Sequence, residues 1–189
     1  MSKLIIPKVN EQEKALFSKF GISLVEKLSE KVFFDAVVNY LNSHNVLNLA
    51  TCKNNEPRCT TVEYYNSGLR VFLMCEGGGK IVNIKKNSLV SYTVNDAYEP
   101  AEDFFSACGL QVWGQASVFR KNDQPERAQE IMSHYRNREG LARQGLDGAL
   151  DGVNFNMVTI EPVRIRYHNY RMGYRRVMWI GGDESGVEI

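Results

Sequence analysis

The sequence predicts an α+β fold: a small, mostly antiparallel β-barrel of six or seven strands with helices in front, between and behind. Three observations carry this reading. The spacing of apolar residues changes from three and four to two at Val46. Two short connections, Asn54-Asn55-Glu56 and Asn66-Ser67-Gly68, then separate strand-length runs, as hairpins require. Beyond residue 108 further alternating runs follow, interrupted by only one strongly helical segment.

In chain order, the first 45 residues read as helix, because Leu24, Val25, Leu28, Val32, Ala36, Val37, Tyr40 and Leu41 make one apolar stripe. Ser23 with Glu26 forms a candidate capping box, and Ser29 is an alternative cap for a separate second helix. Val46–Lys53, Pro57–Tyr65, Leu69–Glu76 and Leu89–Asn95 are rich in β-branched and aromatic residues and read as strands, the first three joined as consecutive hairpins. Between the last two, the Gly77-Gly78-Gly79-Lys80 turn leads into about two helical turns over residues 81–87. An acidic loop (Asp96, Glu99, Glu102, Asp103) precedes a long strand, Cys108–Arg120. Asp123, Pro125 and Glu126 open a helix whose inner face is Ala128, Ile131, Met132 and Tyr135. The glycine-rich stretch Glu139–Gly152 reads as a loop long enough to serve as a lid. A strand begins near Phe155, with Pro162 marking a bulge or edge, and Tyr174–Ile180 is the last strand. The whole reads as one domain: a helical segment over 1–45 packed on the barrel, the barrel over 46–180, and a polar tail over 181–189.

Composition narrows the function. The chain has 189 residues, 43% of them apolar and 24% charged, with a formal charge of +1, so no global field draws it to nucleic acid or an anionic membrane. No apolar run approaches the roughly 20 residues that span a bilayer, and Leu4-Ile5-Ile6 is too short a core for a signal peptide, so a cytoplasmic protein is expected. The four cysteines at 52, 59, 75 and 108 lack the close spacing of a zinc knuckle or redox dithiol and read as reduced thiols. His44, His134 and His168 are too scattered to argue a metal cluster or a Ser-His-Asp arrangement, so redox chemistry would need a bound cofactor.

Two constellations carry chemistry. Gly77–Gly79 let backbone amides approach a ligand, the following helix presents its positive end, Lys80 adds a charge, and Arg58 could reach the same place in a closed sheet. The pattern is neither a Walker loop nor a dinucleotide fingerprint, since Ile81 follows the lysine and Met74 stands where a Walker glycine is required. The second is the run Arg164, Arg166, Arg171, Arg175 and Arg176, interleaved with Tyr167, Tyr170, Tyr174 and Trp179, which could stack single-stranded nucleic acid or form a solvated face. The near-zero net charge favours the solvated face.

The succession Val46-Leu47-Asn48-Leu49-Ala50-Thr51, Pro57-Arg58, Val71-Phe72-Leu73-Met74, Gly79-Lys80, Asn87-Ser88-Leu89-Val90-Ser91 and Val112-Trp113-Gly114-Gln115-Ala116 resembles the pyridoxamine 5′-phosphate oxidase-like flavin-binding split barrels, over about residues 32–180. The resemblance implies a split β-barrel homodimer with FMN between subunits and a small-molecule substrate. It implies that Arg58 and Lys80 hold the flavin phosphate, with Gly79 in the cofactor-binding turn, that Cys59, Thr60, Thr61, Met74 and Cys75 line the ring and ribityl chain, and that Gln111 lies close to a flavin-contacting glutamine. Arg166 and His168 echo an Arg-x-His segment that contacts substrate in the oxidase, one residue out of register. Gly79 stands where the oxidase has a second basic residue, and Glu63 where it has a substrate-contacting lysine. An anion there repels a phosphorylated vitamin B6 substrate, so the expectation is an FMN-dependent oxidoreductase with a different small substrate. A non-catalytic carrier of flavin, deazaflavin or haem is the alternative, with His168 as the haem ligand.

Overall fold

The computed structural model describes residues 1–135, 138–146 and 148–182, of which Arg138 and Glu139 are described by backbone alone. Its elements are β1 (Lys3–Ile5), α1 (Glu11–Ser18), α2 (Glu30–Asn42), β2 (Val46–Lys53), β3 (Glu56–Glu63), β4 (Tyr65–Ser67) and β5 (Arg70–Cys75). They continue as α3 (Gly79–Lys86), β6 (Leu89–Asn95), β7 (Cys108–Arg120), α4 (Pro125–Ser133), α5 (Arg138–Arg143), β8 (Asn156–Asn169) and β9 (Tyr174–Ile180). The fold is α+β, with nine strands in one sheet among the described residues. Every ladder is antiparallel.

The main path runs β1-β9-β8-β7-β6-β2-β3. β8 is long enough to bond three neighbours. One edge takes β7 along its whole length, while the other takes β5 at Asn156–Ile160 and β9 at Arg164–Asn169. The division falls at Pro162, which has no N–H to donate, beside a bulge at Val163 where the β7 register shifts between Trp113 and Gly114. This splits the barrel. β3 has a single ladder, to β2, and its other side approaches β5.

Alternation decides what is inside. Leu47, Leu49, Val71, Leu73, Val90, Tyr92, Val94, Leu110, Val112, Ile160 and Ile165 point into the barrel and meet Phe33, Val37 and Leu41 of α2, all at most 5% exposed. A second cluster (Tyr65, Phe72, Phe119, Ala128, Ile131, Phe155, Met157) lies under α4 on the outer side of β5 and β8. The β2–β3 turn holds Asn54 and Asn55 at φ 53° and 61°, the left-handed pair that matches strand twist in a two-residue hairpin.

The N-terminal 45 residues depart from the helical expectation. Lys3–Ile5 is a strand on β9, and residues 24–28 are irregular, with a bend at Glu26, rather than helical. Asn10 forms a full capping box with Glu13, and Ser29 caps α2 by accepting from Val32 N–H at 3.3 Å. Val25 donates to the Gly173 carbonyl at 3.1 Å, and Val25 and Leu28 pack on the core from an irregular segment. Their spacing therefore matched a helix without needing one. The expected strand over 57–65 is also divided: β3 stops at Glu63, and the second hairpin is the short β4–β5 pair. Five residues of the expected 139–152 loop, 139–143, lie in α5, and described residues beyond it turn over α4, where Met132, Leu141, Leu146 and Leu150 line a largely apolar cavity of about 430 Å³. Asp147, and the polar tail from residue 183, lie outside the described residues.

Candidate functional site

β3 and the β5–α3 connection meet at one end of the barrel. Arg58 pairs with Thr51 across the β2–β3 ladder, and Thr51, 3% exposed, accepts a hydrogen bond from Asn83 Nδ2 of α3 at 3.1 Å. That bond ties α3 to the strand beside Arg58. Asn156 of β8 holds the other side of the connection, donating to the Glu76 carbonyl at 2.7 Å and to the Cys75 carbonyl at 3.4 Å. Gly78, at φ 100°, is the residue before α3 and makes no side-chain cap. The helix therefore begins with uncapped amides.

The Arg58 guanidinium lies directly over that helix start. A Cβ added to Gly79 would stand 2.9 Å from Arg58 Nη1 and 3.1 Å from its Cζ, so the glycine is what lets the guanidinium settle there. Lys80 is half-buried and donates to the Gly77 carbonyl at 3.4 Å. Burial pushes the Cys75 thiol up and the Lys80 charge opposes this, which leaves the thiol protonated as an apolar wall. Two cations and the positive end of a helix converge on one spot, an arrangement that fits a phosphate monoester or another anion.

The other expected residues separate by strand alternation. Arg58 and Thr60 belong to the core-facing row of β3, while Cys59 and Thr61 face outward. Thr61 donates to Asn48 Oδ1 at 2.8 Å. Ladder pairing continues that outer row through Asn48, Thr93 and Gln111 to Arg166. Gln111 therefore lies on the outer row, three strands from Thr61, rather than beside Arg58. Met74 also turns away: its neighbour Cys75 faces the barrel, so Met74 packs on the cluster under α4. Arg166 and His168 lie with Gln111 in a separate groove of about 470 Å³. Asn83 and Asn156, which position the Arg58 end, carry no signal in the sequence, because each acts through a partner distant along the chain.

The topology, an antiparallel barrel split along β8 with a helix across one end and cations at that helix's start, defines a class: the small split β-barrels. Within it, the sequence profile of the pyridoxamine 5′-phosphate oxidase family matches residues 33–169, well over half of the chain, and the chain belongs to that family. No curated protein shows a significant sequence match. Solved structures share the fold. A conserved hypothetical protein of Mycobacterium tuberculosis, Rv2991, superposes with a TM-score of 0.59 at 18% identity, covering 79% of this chain and 91% of its own. A candidate pyridoxamine 5′-phosphate oxidase of Listeria innocua gives 0.53 at 20%, covering 72% and 98%. HutZ of Vibrio cholerae, described as a haem storage protein, gives 0.53 at 17%, covering 68% and 88%.

Proposed function

We propose that this chain is an FMN-binding flavoprotein and an oxidoreductase acting on a small substrate other than pyridoxamine phosphate. The observation that carries the proposal is the Arg58 guanidinium seated over Gly79 at the uncapped start of α3, with Lys80 beside it. Family membership supports flavin as the cofactor. In this reading Arg58, Lys80 and the α3 amides hold the FMN phosphate, with Thr60 and Cys75 on the same side of the barrel wall. FMN supplies hydride chemistry when bound, and the protein supplies the anchor and the wall that orients it. Glu63, exposed on β3, argues against a phosphorylated vitamin B6 substrate. The family resemblance implies a homodimer with the cofactor between subunits, so a homodimer belongs to the proposal, as does a cytoplasmic location. Among the described residues no helix is long and apolar enough to cross a membrane.

Purified protein titrated with FMN tests the reading. The expected result is a yellow complex with flavin absorbance. Arg58→Glu or Lys80→Glu should weaken FMN binding by at least tenfold, since each sets a carboxylate against the phosphate. A colourless protein indifferent to FMN, or both variants binding like wild type, ends the proposal. The second reading, haem carriage, rests on the buried His168 Nδ1, which has no hydrogen-bond partner. A Soret band lost in His168→Ala would favour it.

A further inference from the structure

α4 carries more apolar surface than the core beneath it takes up. Ala128 and Ile131 are buried in the second cluster, but Met132 and Tyr135 are only partly buried, and both line the cavity of about 430 Å³ beside the helix. Leu141 of α5 and Leu150 line it too and are partly buried as well, while Leu146 is 45% exposed. These side chains keep part of their surface uncovered, and they share one space. Its volume falls within the range of roughly 300–1,000 Å³ that small-molecule sites occupy.

The walls are held in place by bonds of their own. Pro125 fixes the start of α4. Lys121, just past β7, donates to the carbonyls of Leu150 at 3.1 Å and Asp151 at 2.6 Å, which pins the far wall to the end of the strand. Leu146 N–H donates to the Leu141 carbonyl at 2.9 Å, and Asp151 N–H to the Gly148 carbonyl at 2.9 Å. Gly145 and Gly148, at φ 71° and 74°, allow these tight turns. Such a wall cannot fall onto α4 without breaking its own hydrogen bonds, so the space persists.

The polar groups at the cavity define its occupant by what they do not need. Two donors of the Lys121 ammonium are spent on carbonyls, the Ser133 hydroxyl donates to the Glu130 carbonyl at 2.6 Å, and Asn122 N–H donates to Asn154 Oδ1 at 3.0 Å. Lys121 and Asp151 bring opposite charges. Among the described residues, no buried side-chain nitrogen or oxygen at this cavity lacks a partner. A charged ligand would give up hydration here and gain no partner in return. An apolar one gains by covering Met132, Leu141, Leu146 and Leu150.

We infer that this cavity is a second ligand site, taking a small uncharged, mostly hydrocarbon molecule of two or three rings between α4 and α5 with the turns that follow it. Neither Arg58 nor any residue of the Gly77–Lys80 turn lines it, and the inference does not rest on the FMN reading.

The test titrates N-phenyl-1-naphthylamine, which fluoresces on leaving water, into the FMN-free full chain, beside its sulfonated analogue 8-anilinonaphthalene-1-sulfonate. The expected result is saturable fluorescence at one probe per chain with a raised Tm, the sulfonate binding at least tenfold more weakly. Leu146→Gln is the decisive variant, because a side chain 45% exposed can be made polar with little effect on folding. It should weaken the neutral probe about fivefold, and Met132→Gln on the other wall at least as much. Val153→Gln, at an exposed apolar residue outside the lining, and Arg58→Glu should leave the affinity unchanged. No saturable binding, equal affinity for the sulfonate, Leu146→Gln titrating like wild type, or Val153→Gln weakening the probe as much would overturn the inference. The FMN reading fails separately, on the flavin absorption spectrum.

Discussion

Gly114 shows how much a single position can be asked to do. An added Cβ would stand 2.6 Å from Ile160 Cγ2 and 2.8 Å from the Glu161 carbonyl oxygen, at the place where the β7–β8 register shifts. One of those atoms is backbone in the middle of a ladder and cannot swing aside. Gly114→Ala should therefore destabilise the protein by about 1–3 kcal/mol, read as a lower denaturant midpoint at unchanged slope. Gly79 makes the contrast. Its close neighbours are the end of a flexible arginine, so a side chain there would displace Arg58 at little cost to the fold. The sequence displays both glycines alike; only the identity of the neighbour separates a packing glycine from a binding one. Arg176, at φ 54°, is the reverse case, indistinguishable in a run of arginines until that angle is seen.

At the scale of elements, β2, β6, β7 and β9 have the boundaries that alternation predicts, Val46–Lys53, Leu89–Asn95, Cys108–Arg120 and Tyr174–Ile180. In these strands one side meets the core along most of the length, so the period of two is written plainly. Helices were harder. α3 starts at Gly79, two residues before the expected span, because a glycine start has no capping side chain to signal it. α4 ends at Ser133, so Tyr135 reaches the outer cluster from beyond the helix. The connection from β5 to α3 depends on Asn156, 4% exposed, whose amide bonds the Glu76 and Cys75 carbonyls. Asn156→Ala should cost about 1–3 kcal/mol by leaving buried carbonyls unpaired. It should also weaken FMN binding, because the start of α3 loses its tether. Calorimetry with a parallel FMN titration measures both.

Across the whole molecule, the groove on β7–β9 links stability to pH. Burial, then the Arg176 charge, holds the His168 pKa below its usual value of 6.5. Between the folded and unfolded values the unfolded chain binds more protons. The contribution of a neutral His168 is therefore complete above about pH 6.5 and is lost as pH falls toward the folded value. The drop in Tm between pH 7.5 and 5.5 should be smaller in His168→Gln than in wild type; equal drops would show that the histidine does not report on folding.

The sequence by itself determined most of the elements, the antiparallel barrel and the family, because each is encoded by short-range periodicity, turn residues and the order of motifs. It also offered Arg58, Gly79 and Lys80 as partners. The tertiary structure alone decided that Arg58 lies over Gly79, that Gln111 and Met74 face away from it, that β8 divides its free edge between β5 and β9, and that a bulge sets Arg175 and Arg176 against the single residue His168. Those outcomes depend on how strands far apart in the chain come into register. A shift of one residue in that register exchanges the faces of every side chain on a strand, and no local pattern fixes it.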